Sequence, residues 1–231
     1  MKILTIIPAF NEEETLRGVI LGIRTFLAHA DILVVNDGST DKTANIAREE
    51  GVFVLEHPYN MGIGATMQTG FLYALRSGYD IAIQVDGDGQ HNPESLPSLI
   101  KPLLIGQADL VIGSRYLSDG GFKSTLPRKL GIKFFTWLVW IFTGKRVTDP
   151  TSGFRAIGRK GLELFSEEYP PDYPEVEALI SASRKGLLFL EIPTTMRGRQ
   201  GGSSSIGILS ALYYMVKVTL SISIGSFRGI K

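Results

Sequence analysis

The sequence predicts an α/β fold built on a mostly parallel central sheet flanked by helices. Three observations predict it. Short apolar, β-branched runs alternate with stretches of helical spacing about five times in the first 115 residues. The runs are apolar at consecutive rather than alternate positions, as in strands buried on both faces. Polar loops bearing glycine or aspartate follow the runs, and open parallel sheets bind ligands beyond the carboxyl ends of their strands.

Ile3–Ile7 is the first strand and Pro8-Ala9-Phe10-Asn11 ends it. Glu12–Ala28 places Leu16, Val19, Ile20, Ile23 and Leu27 on one helical face, with glutamates in its first turn to suit the positive helix end. Ile32–Val35 is strand two. Asp37–Asp41 then turns into a helix over Lys42–Glu50, with Ser39 or Thr40 as N-cap. Val52–Glu56 is strand three, and the loop Asn60–Ala65 leads to a helix over Thr66–Ser77. Strand four is Ile81–Val85, a helix covers Pro93–Leu104, and strand five is Leu110–Ile112.

Bulk composition excludes several classes. At 231 residues the chain makes one large domain or a domain with an appendage. A net charge of +1 carries no basic signature for nucleic acid, and the absence of cysteine excludes disulfides and thiolate metal sites. The apolar run after Met1-Lys2 is too short for a signal peptide, so synthesis in the cytosol is expected.

The chemistry concentrates where strand four ends. Asp86 and Asp88 flank Gly87, and alternate residues of an extended chain face the same way, so both carboxylates can meet one point. With Gln90 as a third oxygen, this set suits Mg²⁺ or Mn²⁺, whose remaining ligands come from water and substrate phosphate. A plain Asp-Gly surface turn is the alternative. The loop Gly62-Ile63-Gly64 has neither the dinucleotide spacing nor the Lys-Ser/Thr of a P-loop. Four distinctive loops (Pro8–Glu12, Asp37–Asp41, Asn60–Ala65 and Asp86–Gln90) share the carboxyl end of the predicted sheet, and their co-location favours a ligand site.

The second half changes character. Ser118–Thr125 reads as a mobile glycine-rich loop. Lys129–Phe142 carries Phe134, Phe135, Trp137 and Trp140 between Arg128, Lys129, Lys133, Lys145 and Arg146. That is either a core helix or an in-plane membrane helix, and it is too short to span a bilayer. In the polar island Thr148–Ala156, Asp149 and Arg155 are either a structural ion pair or site residues. A helix is expected over Val176–Lys185 and a last strand over Leu187–Ile192. Arg197, Arg199 and Ser203–Ser205 form a basic, flexible loop suited to an anion. Ile206–Ile224 is apolar apart from Lys217, the two tyrosines Tyr213 and Tyr214, and scattered serine and threonine. A mid-span lysine would cost about 2.5–3.5 kcal/mol, so this segment is expected to lie on a membrane surface with Arg228 and Lys231 near anionic lipid. The resulting division is a catalytic unit over 1–205, including the interfacial segment 128–146, and an amphipathic membrane-associating helix over 206–231.

Pro8–Glu13 (Pro-Ala-Phe-Asn-Glu-Glu), Val34–Asp41 (Val-Val-Asn-Asp-Gly-Ser-Thr-Asp), Asn60–Ala65, Asp86–His91, Gly113-Ser114-Arg115 and Asp149–Ala156 occur in this order over most of the chain. With them the sequence resembles family 2, GT-A-fold inverting glycosyltransferases, in particular dolichyl-phosphate mannosyltransferase and its bacterial and archaeal relatives. The resemblance implies roles. Pro8, Phe10, Glu12, Val35 and Asp37 would hold base and ribose. Asn60, Gly64, Asp86, Gly87, Asp88, Arg115 and Arg199 would complete the nucleotide-sugar site, with Asp86, Asp88 and Gln90 around the metal. Arg128, Ser152, Arg155 and Arg197 would serve the acceptor phosphate. Asp88 and Asp149 would be the catalytic pair. Two positions depart from the family pattern: Asn36 replaces an aspartate often found before Asp37, and Ser204 replaces a lysine common in relatives.

The implied reaction moves a sugar from a nucleotide sugar to a polyprenyl (undecaprenyl) phosphate at the cytoplasmic face of the cell membrane. UDP-glucose is favoured; GDP-mannose and UDP-N-acetylglucosamine are the other donors considered, and a homo-oligomer is possible. The acceptor phosphate is already anionic and needs no strong base, so Asp149 would orient rather than abstract a proton. The closest rival uses a saccharide hydroxyl, with Asp149 or Glu177 as base. A non-catalytic nucleotide-sugar-binding protein and a nucleotidyltransferase are further alternatives.

Overall fold

A computed structural model describes residues 1–117, 126–172, 174–196 and 215–220, with only the backbone of 126–128. The strands are β1 (Ile3–Ala9), β2 (Asp31–Asn36), β3 (Phe53–Glu56), β4 (Ile81–Gln84), β5 (Leu110–Ser114), β6 (Arg155–Gly158) and β7 (Phe189–Pro193). The helices are α1 (Leu16–Phe26), α2 (Thr43–Glu49), α3 (Ile63–Arg76), α4 (Leu96–Leu104), α5 (Leu126–Thr143), α6 (Arg159–Glu167) and α7 (Pro174–Arg184). Among the described residues, these seven strands form one sheet in the order β3-β2-β1-β4-β6-β5-β7. Four pairings are parallel, and β6 runs antiparallel to both neighbours.

The sheet buries both faces, as its continuous apolar strands require. Leu4 and Ile6 point into a core with Phe71 of α3, Phe135 and Leu138 of α5, Phe165 of α6 and Leu179 of α7. Ile3 and Ile7 point into the opposite core with Ile20 and Ile23 of α1 and Leu96 and Leu99 of α4.

Several elements differ from the sequence expectation. The sequence expectation places no element over β6 or α6: β6 takes the last two residues of the polar island, and α6, although amphipathic with Leu162 and Phe165 buried, is a short helix directly behind it. Pro8 lies inside β1, opposite Val35, because the β4 ladder ends at Ile6–Gln84 and no N–H is needed beyond it. The helix expected from Glu12 starts at Leu16, so the glutamates precede it. Glu12 and Glu13 are tied instead to the next loop through their backbone N–H groups. Ser39 and Thr40 do not cap α2: Asp41 Oδ1 accepts from Thr43 N at 2.9 Å and Thr43 Oγ1 at 2.5 Å.

On α5, Ile132, Phe135, Leu138 and Val139 are buried while Trp137 and Trp140 are each 53% exposed. The helix therefore serves as a core helix and also shows an aromatic outer face. Of the apolar segment 206–224, residues 215–220 are described and helical. Val218 is buried in the α3-side core and Lys217 pairs with Asp172. Among the described residues, no helix is long and apolar enough to cross a membrane. Residues 118–125, 197–205, 206–214 and 221–231 lie outside the described residues, and with them the expectations for Arg197, Arg199, Ser203–Ser205, Arg228 and Lys231; Arg128 is described by its backbone alone.

Candidate active site

Parallel pairing of β1 to β4 puts the loops after β3, β2, β1 and β4 side by side on one edge. They are bound to one another. Asn11 N donates to Ser39 Oγ (2.9 Å), Glu12 N to Thr43 Oγ1 (2.8 Å) and Glu13 N to Asp41 Oδ2 (3.1 Å). In return Thr40 N donates to Asn11 Oδ1 (2.9 Å) and Lys42 N to Glu13 Oε2 (3.0 Å). Five reciprocal bonds thus latch the first two loops. Burial pushes the Asp41 carboxyl up, but its hydrogen bonds from Thr43 and Glu13 outweigh this and hold it below the usual range.

Asp37 joins the third loop to this pair. Its Oδ1 accepts from Met61 N (2.9 Å) and from His57 Nδ1 (2.7 Å), and its Oδ2 accepts from Gly62 N (2.9 Å). His57 Nε2 sits 3.0 Å from Thr69 Oγ1. Asp37 is 4% exposed, so its carboxylate is committed to shaping the loop. Gly64 is set against Pro171, whose carbonyl accepts its N–H at 3.2 Å; a Cβ there would lie 2.1 Å from the Pro170 carbonyl oxygen. Val35 has its side chain wholly in the core, Phe10 and Asn60 are exposed, and Pro8 and Glu12 are half-buried. Glu12 Oε2 accepts from Thr15 Oγ1 (3.0 Å), which also donates to the Gly87 carbonyl (2.7 Å).

The fourth loop carries Asp86 and Asp88. Asp88 Oδ1 accepts from Gln90 N at 3.0 Å, closing a tight turn that keeps Gln90 beside it. Asp86 N donates to His91 Nδ1 (3.1 Å), and the other ring nitrogen lies 3.5 Å from Asp86 Oδ2. The Asp86 side chain is 37% exposed. Antiparallel register explains its far neighbour: Arg155 is opposite Gln84, so Gly153 comes opposite Asp86. A Cβ on Gly153 would stand 3.2 Å from Asp86 Oδ2 and 2.9 Å from Gln84 Nε2. Among the described residues no three His, Cys, Asp or Glu side chains form a metal-holding group. Two carboxylates with one open side fit an Mg²⁺ or Mn²⁺ that takes the rest of its shell from water and phosphate.

The same register brings in Arg115, just past β5. Its Nε donates to Asp149 Oδ2 and its Nη2 to Asp149 Oδ1, both at 2.6 Å, and its N–H reaches Oδ2 at 3.1 Å. Asp149 is 0% and Arg115 7% exposed. Desolvation lowers the guanidinium pKa, and Asp149 more than restores it, so Arg115 stays charged. Asp149 therefore pairs with Arg115 and not with Arg155. Arg155 is turned inward: Nε donates to the Ser152 carbonyl (2.7 Å) and Nη2 to the Pro150 carbonyl (2.9 Å), folding the island loop over itself. Ser152 Oγ donates to the Gly113 carbonyl (2.7 Å). Both side chains are buried.

Gly153, His57, His91 and Glu191 were not among the expected site residues. Gly153 and His91 lie inside two of the motifs, and Glu191 is a carboxylate inside an otherwise apolar strand.

The family model for glycosyl transferase family 2 matches residues 5–165. The undecaprenyl-phosphate mannosyltransferase of Micrococcus luteus is 33% identical over 218 residues, covering 89% of this chain and 88% of its own. The UDP-N-acetylglucosamine–dolichyl-phosphate N-acetylglucosaminyltransferase of Methanococcus voltae is 32% identical over 211 residues, covering 83% and 84%. A crystal structure of glucosyl-3-phosphoglycerate synthase from Mycobacterium tuberculosis, in complex with Mn²⁺, UDP-glucose and phosphoglyceric acid, is similar with a TM-score of 0.73 at 25% identity, covering 97% of this chain and 79% of that one. Motifs, sheet order and these similarities agree: the chain belongs to glycosyl transferase family 2.

Proposed function

We propose that this glycosyltransferase moves a sugar from a nucleotide-diphosphate sugar to the phosphate of a polyprenyl lipid, inverting the anomeric carbon. The observation that carries this reading is the condition of Asp149. Its carboxylate is buried and bound on both oxygens by Arg115, so it is not poised to deprotonate a hydroxyl. A phosphate acceptor needs no such base. Relatives named for undecaprenyl- and dolichyl-phosphate transfer support the same acceptor.

In this reading an acceptor phosphate oxygen attacks the anomeric carbon. The bond from that carbon to the diphosphate oxygen breaks, and the nucleoside diphosphate leaves with the electron pair. Asp86, Asp88 and Gln90 would hold Mg²⁺ or Mn²⁺, which offsets charge on the leaving diphosphate. The latched loops at Pro8–Glu12 and Asp37–Asp41 form the nucleotide cradle, with Phe10 as its exposed ring. Arg115 faces phosphate, held by Asp149 as an orienting group. Arg155 and Ser152 act on the acceptor side by fixing the island loop. The enzyme works peripherally at the cytoplasmic face of the membrane, where the exposed Trp137 and Trp140 of α5 suit a lipid interface.

UDP-glucose is the lead donor, since a similar solved structure holds it. GDP-mannose and UDP-N-acetylglucosamine are the comparison arms, after the sugars named in the sequence relatives. The test is a donor screen with undecaprenyl phosphate in vesicles and with free saccharides as rival acceptors, followed by extraction of lipid product. Transfer to saccharide alone would overturn the proposal. Asp88→Ala should lower metal-dependent transfer by at least about 100-fold, because several kcal/mol of charge stabilisation are lost; undiminished transfer would sink the metal assignment.

A further inference from the structure

The segment 191–196 touches both sides of the candidate site. At its far end it is bound to the stretch that follows the two aspartates. Thr194 Oγ1 donates to Ser95 Oγ (3.0 Å), Asn92 Nδ2 donates to Thr195 Oγ1 (2.9 Å), and His91 and Met196 form an antiparallel bridge. At its near end is Glu191. Its Oε2 accepts from Thr148 N (2.7 Å), and its Oε1 accepts from Asp149 N (2.8 Å) and Thr148 Oγ1 (3.0 Å). One carboxylate thus takes three donors from the two residues that present Asp149.

The placement is built by register. Glu191 is opposite Ile112 in the parallel β5–β7 pair, three residues before Arg115. The turn at Thr148–Asp149 is clamped from the other side as well, because Ser114 Oγ and Thr148 Oγ1 are 2.7 Å apart. A charged side chain in a mostly apolar strand carries a desolvation cost, and three hydrogen bonds from one turn are an arrangement that offsets it. An apolar residue would serve the strand equally well but would leave Thr148 and Asp149 without these acceptors.

We propose that Glu191 is a positioning residue for transfer: it fixes the Thr148–Asp149 turn and, through Asp149, aims the Arg115 guanidinium at the diphosphate. The inference rests on the reading of Arg115 as a phosphate-facing cation. A misplacement of about 1 Å at such a group is enough to cost about 100-fold in rate, so the turn is worth holding from both sides.

The test reads ligand affinity and needs no acceptor lipid. Full-length parent, E191Q, R115M/D149L and the triple variant are titrated with Mn²⁺ plus UDP or GDP, whichever binds the parent tighter, by calorimetry. Gln keeps the shape but replaces one acceptor oxygen with an amide NH₂, a donor set against a backbone donor. R115M/D149L removes the buried pair as a unit, so no charge is stranded. E191Q should weaken binding about tenfold, the size of one weakened charge-assisted hydrogen bond. R115M/D149L should weaken it by at least as much, and E191Q should then add nothing. A purely structural Glu191 would lower the melting temperature in both backgrounds without a background-dependent change in affinity. Unchanged affinity in E191Q, or losses that add in the triple variant, overturns the inference while leaving the proposed reaction standing. Unchanged affinity in R115M/D149L overturns the reading of Arg115 and the inference with it.

Discussion

Asp149→Ala removes a buried carboxylate bonded on both oxygens to a guanidinium whose residue is 7% exposed. Three hydrogen bonds at 2.6, 2.6 and 3.1 Å disappear at once. Removing one partner of a buried pair costs about 3–5 kcal/mol, because the remaining charge stays desolvated. In a domain of this size each kcal/mol moves the melting temperature by about 2–4 °C, so a fall of about 6–20 °C is expected. Arg115→Met should cost a similar amount by stranding Asp149. Replacing both, in R115M/D149L, should recover most of the loss, since an apolar pair of similar volume strands no charge. Urea unfolding followed by circular dichroism gives the three free energies, and the double-mutant cycle gives the coupling. A loss below about 1 kcal/mol for Asp149→Ala, or a double variant as unstable as the singles, would refute the buried-pair argument. A stable but inactive double variant would separate the pair's role in transfer from its role in folding.

Gly153→Ala would place a methyl group 3.2 Å from Asp86 Oδ2 and 2.9 Å from Gln84 Nε2. It should weaken Mn²⁺ binding about 10–100-fold, and an unchanged affinity by electron paramagnetic resonance would count against Asp86 as a ligand. The Asp41 latch predicts an acid limb in stability. Its folded pKa is depressed, so its contribution is complete above the unfolded value of about 3.9 and is lost as pH falls through the lower folded value. Asp41→Asn should flatten the melting-temperature profile in that acid window alone; a parallel shift at all pH values would be the wrong result.

The first half of the fold was legible because β1, β2 and β4 are buried on both faces and so are mostly apolar, while the edge strand β3 still carries a short apolar run. The aspartate loop was legible for a related reason: a strand that must stop at charge declares its own end. β6 was not, because four residues beginning with Arg155 carry too little apolar signal against the polar island before them. The site residues divide the same way. Asp86 and Asp88 are two positions apart, so one loop carries both, and sequence alone is enough to put them at the end of the same strand. The partner of Asp149 is 34 positions away, and choosing Arg115 over the nearby Arg155 required the register of three strands. Asp37 shows a further limit. Sequence marks it as a site residue but does not say whether its carboxylate turns outward or, as here, inward to two backbone N–H groups and His57.

The reversed direction of β6 has a consequence for how such an enzyme can change. Its neighbours deliver their loops to the site by their carboxyl ends, whereas β6 delivers the island loop by its amino end. The rim is therefore assembled from stretches far apart in the chain: loops from the first 91 residues, Arg115 after β5, and a later insert spanning 148–154. They meet along a short front, Asp86 against Gly153. Chimeras that exchange 148–158 between relatives, while keeping the glycine at 153, should leave the nucleotide cradle intact. One half can then diversify while the other is conserved in place, as in a lock whose cylinder is replaced without recutting the door.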